Sequence, residues 1–175
     1  LYTKEKDKDE MTRNVAARGN NKYVQKSYSF SVEPGNRRNC RLEADFSVGD
    51  YVQQVGNEYY VNMNLKRNFD GSHIDTTDRP VPYYFKYKDV ETEVTILDIP
   101  TGYKVSYLPP VAEEKLDGYW WYQIGYKVDG NKIVLTKKYW LNSLSIPPEK
   151  FVAHNRMIDR LKKQYKESVV LTLEK

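Results

Sequence analysis

The stretch YWWYQIGYKV at residues 119–128, DGN at 129–131 and KIVLTKKYW at 132–140 decides the fold. Two runs rich in β-branched and aromatic residues flank a Gly-containing turn, which is the pattern of an antiparallel hairpin. Side chains alternate across a strand, so Trp120, Tyr122, Ile124, Tyr126 and Val128 share one face of the first run. That even-numbered set is the more apolar one and is expected to face the core. Tyr119 and Trp121 fall on the opposite face. If exposed, they form an aromatic pair that could stack on sugar rings or anchor a partner, since rigid rings supply much contact area at low entropic cost. We take Tyr119 and Trp121 as the candidate binding residues.

Outward from the hairpin, the same period of two recurs. Val24, Tyr28, Phe30 and Val32 alternate with polar residues, with Lys26 as the odd member. After the turn Pro34-Gly35-Asn36, Cys40, Leu42, Ala44, Phe46 and Val48 alternate in turn. Short runs follow at 51–55 and 59–65, and after a break strands resume at 83–87, 91–99 and 103–108. At Pro147-Pro148-Glu149 the period changes. Phe151, Ile158, Leu161 and Tyr165 recur at helical spacing, and proline fits a first helical turn because its missing N–H has no partner there anyway. One amphipathic helix is expected over about 148–166, followed by a final strand at 169–173. The fold class is therefore mostly β, an antiparallel β-sandwich with one amphipathic helix near the C-terminus. Residues 1–22 read as a charged helix or tail and 23–175 as a single domain. The aperiodic, proline-containing loop 68–82 is a possible internal boundary.

The chain has 175 residues, 28 basic and 24 acidic, with a net charge of +4, and these charges are interspersed. Nucleic-acid binding is not demanded by such a balance. No window approaches the roughly 18 apolar residues of a membrane span. The one cysteine excludes an internal disulfide and cannot form a zinc site alone. Cys40, His73 and His154 are the pieces of a cysteine-type catalytic site, but they fall on three unrelated elements, and no metal, cofactor or catalytic residue is assigned. Both histidines read as surface or boundary residues.

Asn62 to Leu65, Arg79-Pro80-Val81-Pro82, Ile99-Pro100-Thr101-Gly102-Tyr103 with Tyr107-Leu108-Pro109, and the tail from Tyr165 to Leu173 form an ordered series of short patterns. In these the chain resembles, from about Lys22 to Lys175, the C-terminal domain of unknown function that follows the transglutaminase-like domain in large exported proteins of anaerobic Gram-negative bacteria. The resemblance implies an accessory or interaction domain held in the periplasm or at the cell surface. Its partner would be the upstream catalytic domain of the same polypeptide, or a peptide or glycan. The family's Cys-His-Asp triad would lie before Leu1, so no catalytic residue carries over. A carbohydrate-binding module using Tyr119 and Trp121 is the alternative, and a stand-alone enzyme is a third.

The alternation of Cys40 with Asn39 and Arg41 predicts an inward, unreactive thiol. Native protein should react with a thiol reagent far more slowly than unfolded protein, and equal rates in the two states would show an outward cysteine.

Overall fold

The computed structural model describes residues 23–33, 35–77 and 79–174. The expected N-terminal helix or tail at 1–22 lies outside the described residues. The fold is mostly antiparallel β with one helix near the C-terminus, as the alternation predicts. The stretch 23–175, read as one domain, divides with the preceding tail into two compact units, Leu1–Gln53 and Gln54–Lys175. Loop 68–82 falls inside the second.

In the first unit, β1 (Tyr23–Glu33) pairs antiparallel with β2 (Asn36–Val48). Tyr28, Phe30 and Val32 lie opposite Ala44, Leu42 and Cys40 in the ladder, and Tyr28, Phe30, Ala44 and Leu42 share one face. A bulge between Gln25 and Ser27 absorbs Lys26 and shifts the phase. Gln25 faces Phe46, while Val24 faces Ser47 on the other side, away from the set it was expected to join. The odd Lys26 of the pattern is the bulge itself. Cys40 has its backbone in β2 opposite Val32, and its side chain lies outside those described.

The second unit, together with its border residue Gln53, holds two four-stranded sheets. One is ordered β6 (Asp89–Asp98), β10 (Lys132–Leu141), β9 (Trp120–Asp129), β8 (Ala112–Leu116). The central hairpin pairs Ile133 with Val128 and Leu141 with Trp120, within a residue of the expected span. The other sheet is ordered β3 (Gln53–Val55), β4 (Glu58–Val61), β12 (Val169–Leu173), β7 (Tyr103–Tyr107). Two residues each of β5 (Tyr83–Tyr84) and β11 (Ser145–Ile146) form a small third pairing. β8, reading AEEKL, gives no strand signal of its own; its Leu116 is buried opposite Trp120 by registry.

Helix α1 (Phe151–Gln164) follows a 3-10 turn at Pro148–Lys150. Phe151, Ile158, Leu161 and Tyr165 are all buried, as the spacing predicts, and Met157 joins them. His154 is a correction: at 1% exposure it belongs to the buried stripe, because it stands three residues after Phe151 and four before Ile158. The basic Lys162 and Lys163 lie in the last turn, where cations complement the helix dipole.

Ile158 and Leu161 are fully enclosed. Truncating either to alanine should cost about 2–5 kcal/mol, the range for deleting a buried aliphatic side chain. An unchanged melting temperature in both variants would mean that the helix does not dock.

Candidate interaction surface

Alternation divides the β6–β10–β9–β8 sheet into two faces of different character. On the inner face lie Trp120, Tyr122 and Ile124 of β9 with Ile133, Leu135, Lys137, Tyr139 and Leu141 of β10, all buried. Helix α1 and the irregular segment 62–74 supply contacts to this face. That segment has no ladder to satisfy its peptide groups, and buried peptide groups must find partners. Side chains provide them. Lys137, with no exposure, donates to the Lys66 carbonyl at 2.6 Å and pairs with Glu93 Oε1 at 2.9 Å. The Tyr165 hydroxyl donates to the Asn68 carbonyl at 2.8 Å, and its oxygen accepts from the Tyr139 hydroxyl at 2.6 Å. Asn155 makes two bonds to the Ile74 backbone, both 2.8 Å. Phe69 stacks on Trp120 with centroids 5.2 Å apart, and it does so at φ +61°, a region a bulky side chain occupies only when its surroundings impose it.

His154 is fixed as one tautomer. The Trp120 indole N–H can only donate, so His154 Nδ1 accepts it, at 3.0 Å. The Ser72 carbonyl can only accept, so His154 Nε2 carries the proton, at 2.7 Å. Burial holds this imidazole below its usual value of 6.5. Burial likewise pushes the Tyr122 phenol up to about 12, and raises Tyr139 and Tyr165 further. Of these, His154 and Tyr165 are neutral donors to loop carbonyls, and Tyr139 donates to Tyr165. His73 stands apart, exposed, with Nε2 at 2.9 Å from Asp159. The two histidines thus occupy different environments: both ring nitrogens of His154 are engaged within the core, and Nε2 of His73 meets a surface carboxylate.

The outer face of the sheet is built in rows. Val90, Trp140, Trp121 and Lys115 line up across the four strands, and Thr92, Lys138, Gln123 and Glu113 form the next row. Val94, Thr136 and Gly125 follow, then Ile96, Val134 and Lys127. Val90, Val94, Ile96 and the neighbouring Val111 are each more than half exposed, and Trp140 is 44% exposed. The outer face thus carries an exposed apolar patch towards β6, bordered by Lys115 and Lys127 and crossed by one polar row, and exposed apolar patches commonly mark contact sites.

Of the candidate pair, Trp121 lies on this face and Tyr119 does not extend it. Tyr119 precedes β9, where its N–H donates to the Leu116 carbonyl and its own carbonyl accepts from Asn142 and Ser143. Both side chains are half-buried. The ring that Trp121 meets is Trp140, centroids 6.2 Å apart at 63°, an edge-to-face pair whose planes diverge. Sequence reasoning overlooked Trp140, Val90, Val94 and Ile96. Their signal was the alternation of 90, 94 and 96 against Glu91, Glu93 and Thr95, which acquires meaning only once β10 is seen to pair with β6. Two open grooves, of about 510 and 460 Å³, lie elsewhere on the unit, along Tyr60, Tyr107 and Lys166 and along Gly102, Val128 and Asn131. Among the described residues, no helix is long and apolar enough to cross a membrane.

Comparison with known proteins agrees with the extent of the second unit. The model of a family described as a domain of unknown function with solved-structure structure, DUF3858, matches residues 57–171. No curated protein matches the chain. A crystal structure of a candidate protease from Parabacteroides distasonis is similar over 56% of this chain and 20% of that one, with 11% identity and a TM-score of 0.45. The chain therefore spans about a fifth of that protein's length.

The fixed tautomer gives a pH dependence. An unfolded histidine takes up a proton as pH falls past 6.5, whereas folded His154 resists it, so the unfolded state binds more protons in that window. Its contribution to stability is complete above 6.5 and is lost as pH falls towards the lowered folded value. Denaturant unfolding at successive pH values should show this loss in the wild type and a flatter profile in His154→Gln. Identical profiles would show that His154 does not carry it.

Proposed function

We propose, from the premise that this chain belongs to the DUF3858 family, that it is a non-catalytic interaction module of a larger exported protein. In this reading it positions an upstream transglutaminase-like domain, or that domain's peptide substrate, in the periplasm or at the cell surface. The observation that carries the reading is the division of labour between the two faces of one sheet. Inside, Lys137, Tyr139, Tyr165 and His154, the residue types that could do acid–base work, are spent on loop carbonyls and on one another. Outside, Val90, Val94, Ile96, Val111 and Trp140 present apolar surface. A side chain already bonded to a buried carbonyl is poorly placed to move a substrate's proton, while exposed apolar rows gain by being covered. The setting in an exported transglutaminase-like protein rests on the resemblance in the short patterns from Asn62 to Leu173.

The chain alone should turn over neither casein, nor a glutamine-donor peptide with an amine acceptor, nor generic esters. Turnover that survives repurification and Cys40→Ala would make it a non-cysteine enzyme and end this reading. In the longer polypeptide, amide hydrogen exchange in 90–96 and 134–140 should slow relative to the isolated chain. Unchanged exchange there would leave the outer face without an intramolecular partner.

A further inference from the structure

We propose that the free edge of β6 is a strand-addition site that takes an extended segment of another polypeptide, one in which apolar and basic residues alternate. This rests on the interaction-module reading and names the class of partner. Three observations carry it: the direction of the unpaired backbone groups, the length and unbroken register of the strand, and its charge.

The Ile99 N–H donates to the Asn131 carbonyl at 2.8 Å, one step beyond the pair Asp98–Lys132. Peptide groups alternate sides along a strand, so the odd-numbered residues of β6 bond to β10. The N–H and C=O groups of Val90, Thr92, Val94 and Ile96 then point to the edge that, among the described residues, no strand occupies.

Natural sheets blunt such edges with charged side chains, lysine above all, and with proline, bulges or short length, and of these β6 has acidic side chains alone. β3 spans three residues, β7 carries a register shift at its pairing with β12, and β8 carries Lys115 beside Glu113 and Glu114. β6 has ten residues, no lysine or proline, and an unbroken register with β10. It is a long, regular edge with exposed Val90, Val94 and Ile96 on one flank.

Charge selects the occupant. β6 reads DVETEVTILD, with no basic residue; Asp89, Glu91 and Glu93 share the inner flank, while Asp98 lies on the outer one and pairs with Lys132. On the inner flank Glu91 is held by Lys66 and Asn68, and Glu93 by Lys137 through Oε1, while Glu93 Oε2 is buried without a hydrogen-bond partner. A strand laid along this edge sets alternate residues beside these carboxylates and the intervening ones beside Val90, Val94 and Ile96. Basic residues suit the first row and β-branched apolar residues the second. A second copy of β6 fits less well, since two-fold pairing brings one acidic row against the other.

The test is titration of the whole chain into a fluorescein-labelled peptide of alternating Lys and Val ended by Gly-Ser, beside the same peptide with Glu for Lys. Binding should favour the Lys peptide and weaken with salt. Val94→Pro deletes an outward N–H that the β6–β10 ladder does not use, and should weaken binding by about tenfold or more while the melting curve persists. Should that variant fail to fold, Thr92→Pro removes a second outward N–H and serves the same purpose. No binding by the wild type, equal binding of the Glu peptide, or unchanged binding by a folded proline variant each overturns the proposal. So does a wild-type dimer in sedimentation that the proline variant abolishes, which would give the edge to a second copy. The interaction-module reading fails by a different route, through turnover in the assays above.

Discussion

An irregular segment packed against a sheet must have its inward peptide carbonyls satisfied, and in this protein that requirement shapes the core. Residues 62–74 lie against the inner sheet face and helix α1, and Lys66, Asn68 and Ser72 offer carbonyls that no strand reaches. Each receives a donor from a side chain rooted in regular structure: Lys137 from β10, Tyr165 from the end of α1, His154 from within it. Breaking one such bond leaves a buried acceptor unmet, a cost of about 1–3 kcal/mol. Lys137 faces a further constraint, since removing it would strand the Glu93 carboxylate, which is only 18% exposed. A lysine, two tyrosines and a histidine gathered in one interior resemble an active site by composition. Their geometry is that of a clasp.

Much of this architecture was legible in the sequence, for reasons that vary with the element. The β9–β10 hairpin and β12 are strongly periodic, and their spans came out nearly as expected because burial on one face fixes register. The helix face was readable from Phe151, Ile158, Leu161 and Tyr165. His154 shares that face by spacing, and its polarity alone argued for the surface; the carbonyl that makes its burial affordable belongs to Ser72, far away in sequence. Local pattern also could not show β8, whose charged AEEKL becomes a strand through its partner β9. The run at 59–65 ends early as strand because Asn62 turns its side chain to the Tyr165 carbonyl and to the Asn64 N–H. Of the outer aromatic pair, Trp121 was found and its companion Trp140 was not, since which rings become neighbours depends on registry between strands.

The two faces of the β6–β10–β9–β8 sheet place opposite demands on the same strands. In β10, Ile133, Leu135, Tyr139 and Leu141 enter the core while Val134, Thr136, Lys138 and Trp140 look out. Substitutions on the outer rows meet less of the packed interior, so that face can change at modest cost to the fold. The inner face has no such freedom: nearly every residue on it is either close-packed or committed to a carbonyl.

The place of β12 in its sheet has a kinetic meaning. It lies between β4 and β7, with Leu171 opposite both Tyr59 and Val105, so the strand that joins the two is made after both. During synthesis, β4 and β7 must wait with their inward edges unpaired until the helix and then β12 leave the ribosome. Sheets closed by such distant pairing form slowly, and their waiting edges invite misassociation. For this chain, then, the second sheet cannot be completed before the residues after α1 are made, and a nascent form halted there holds two strands without the one that joins them.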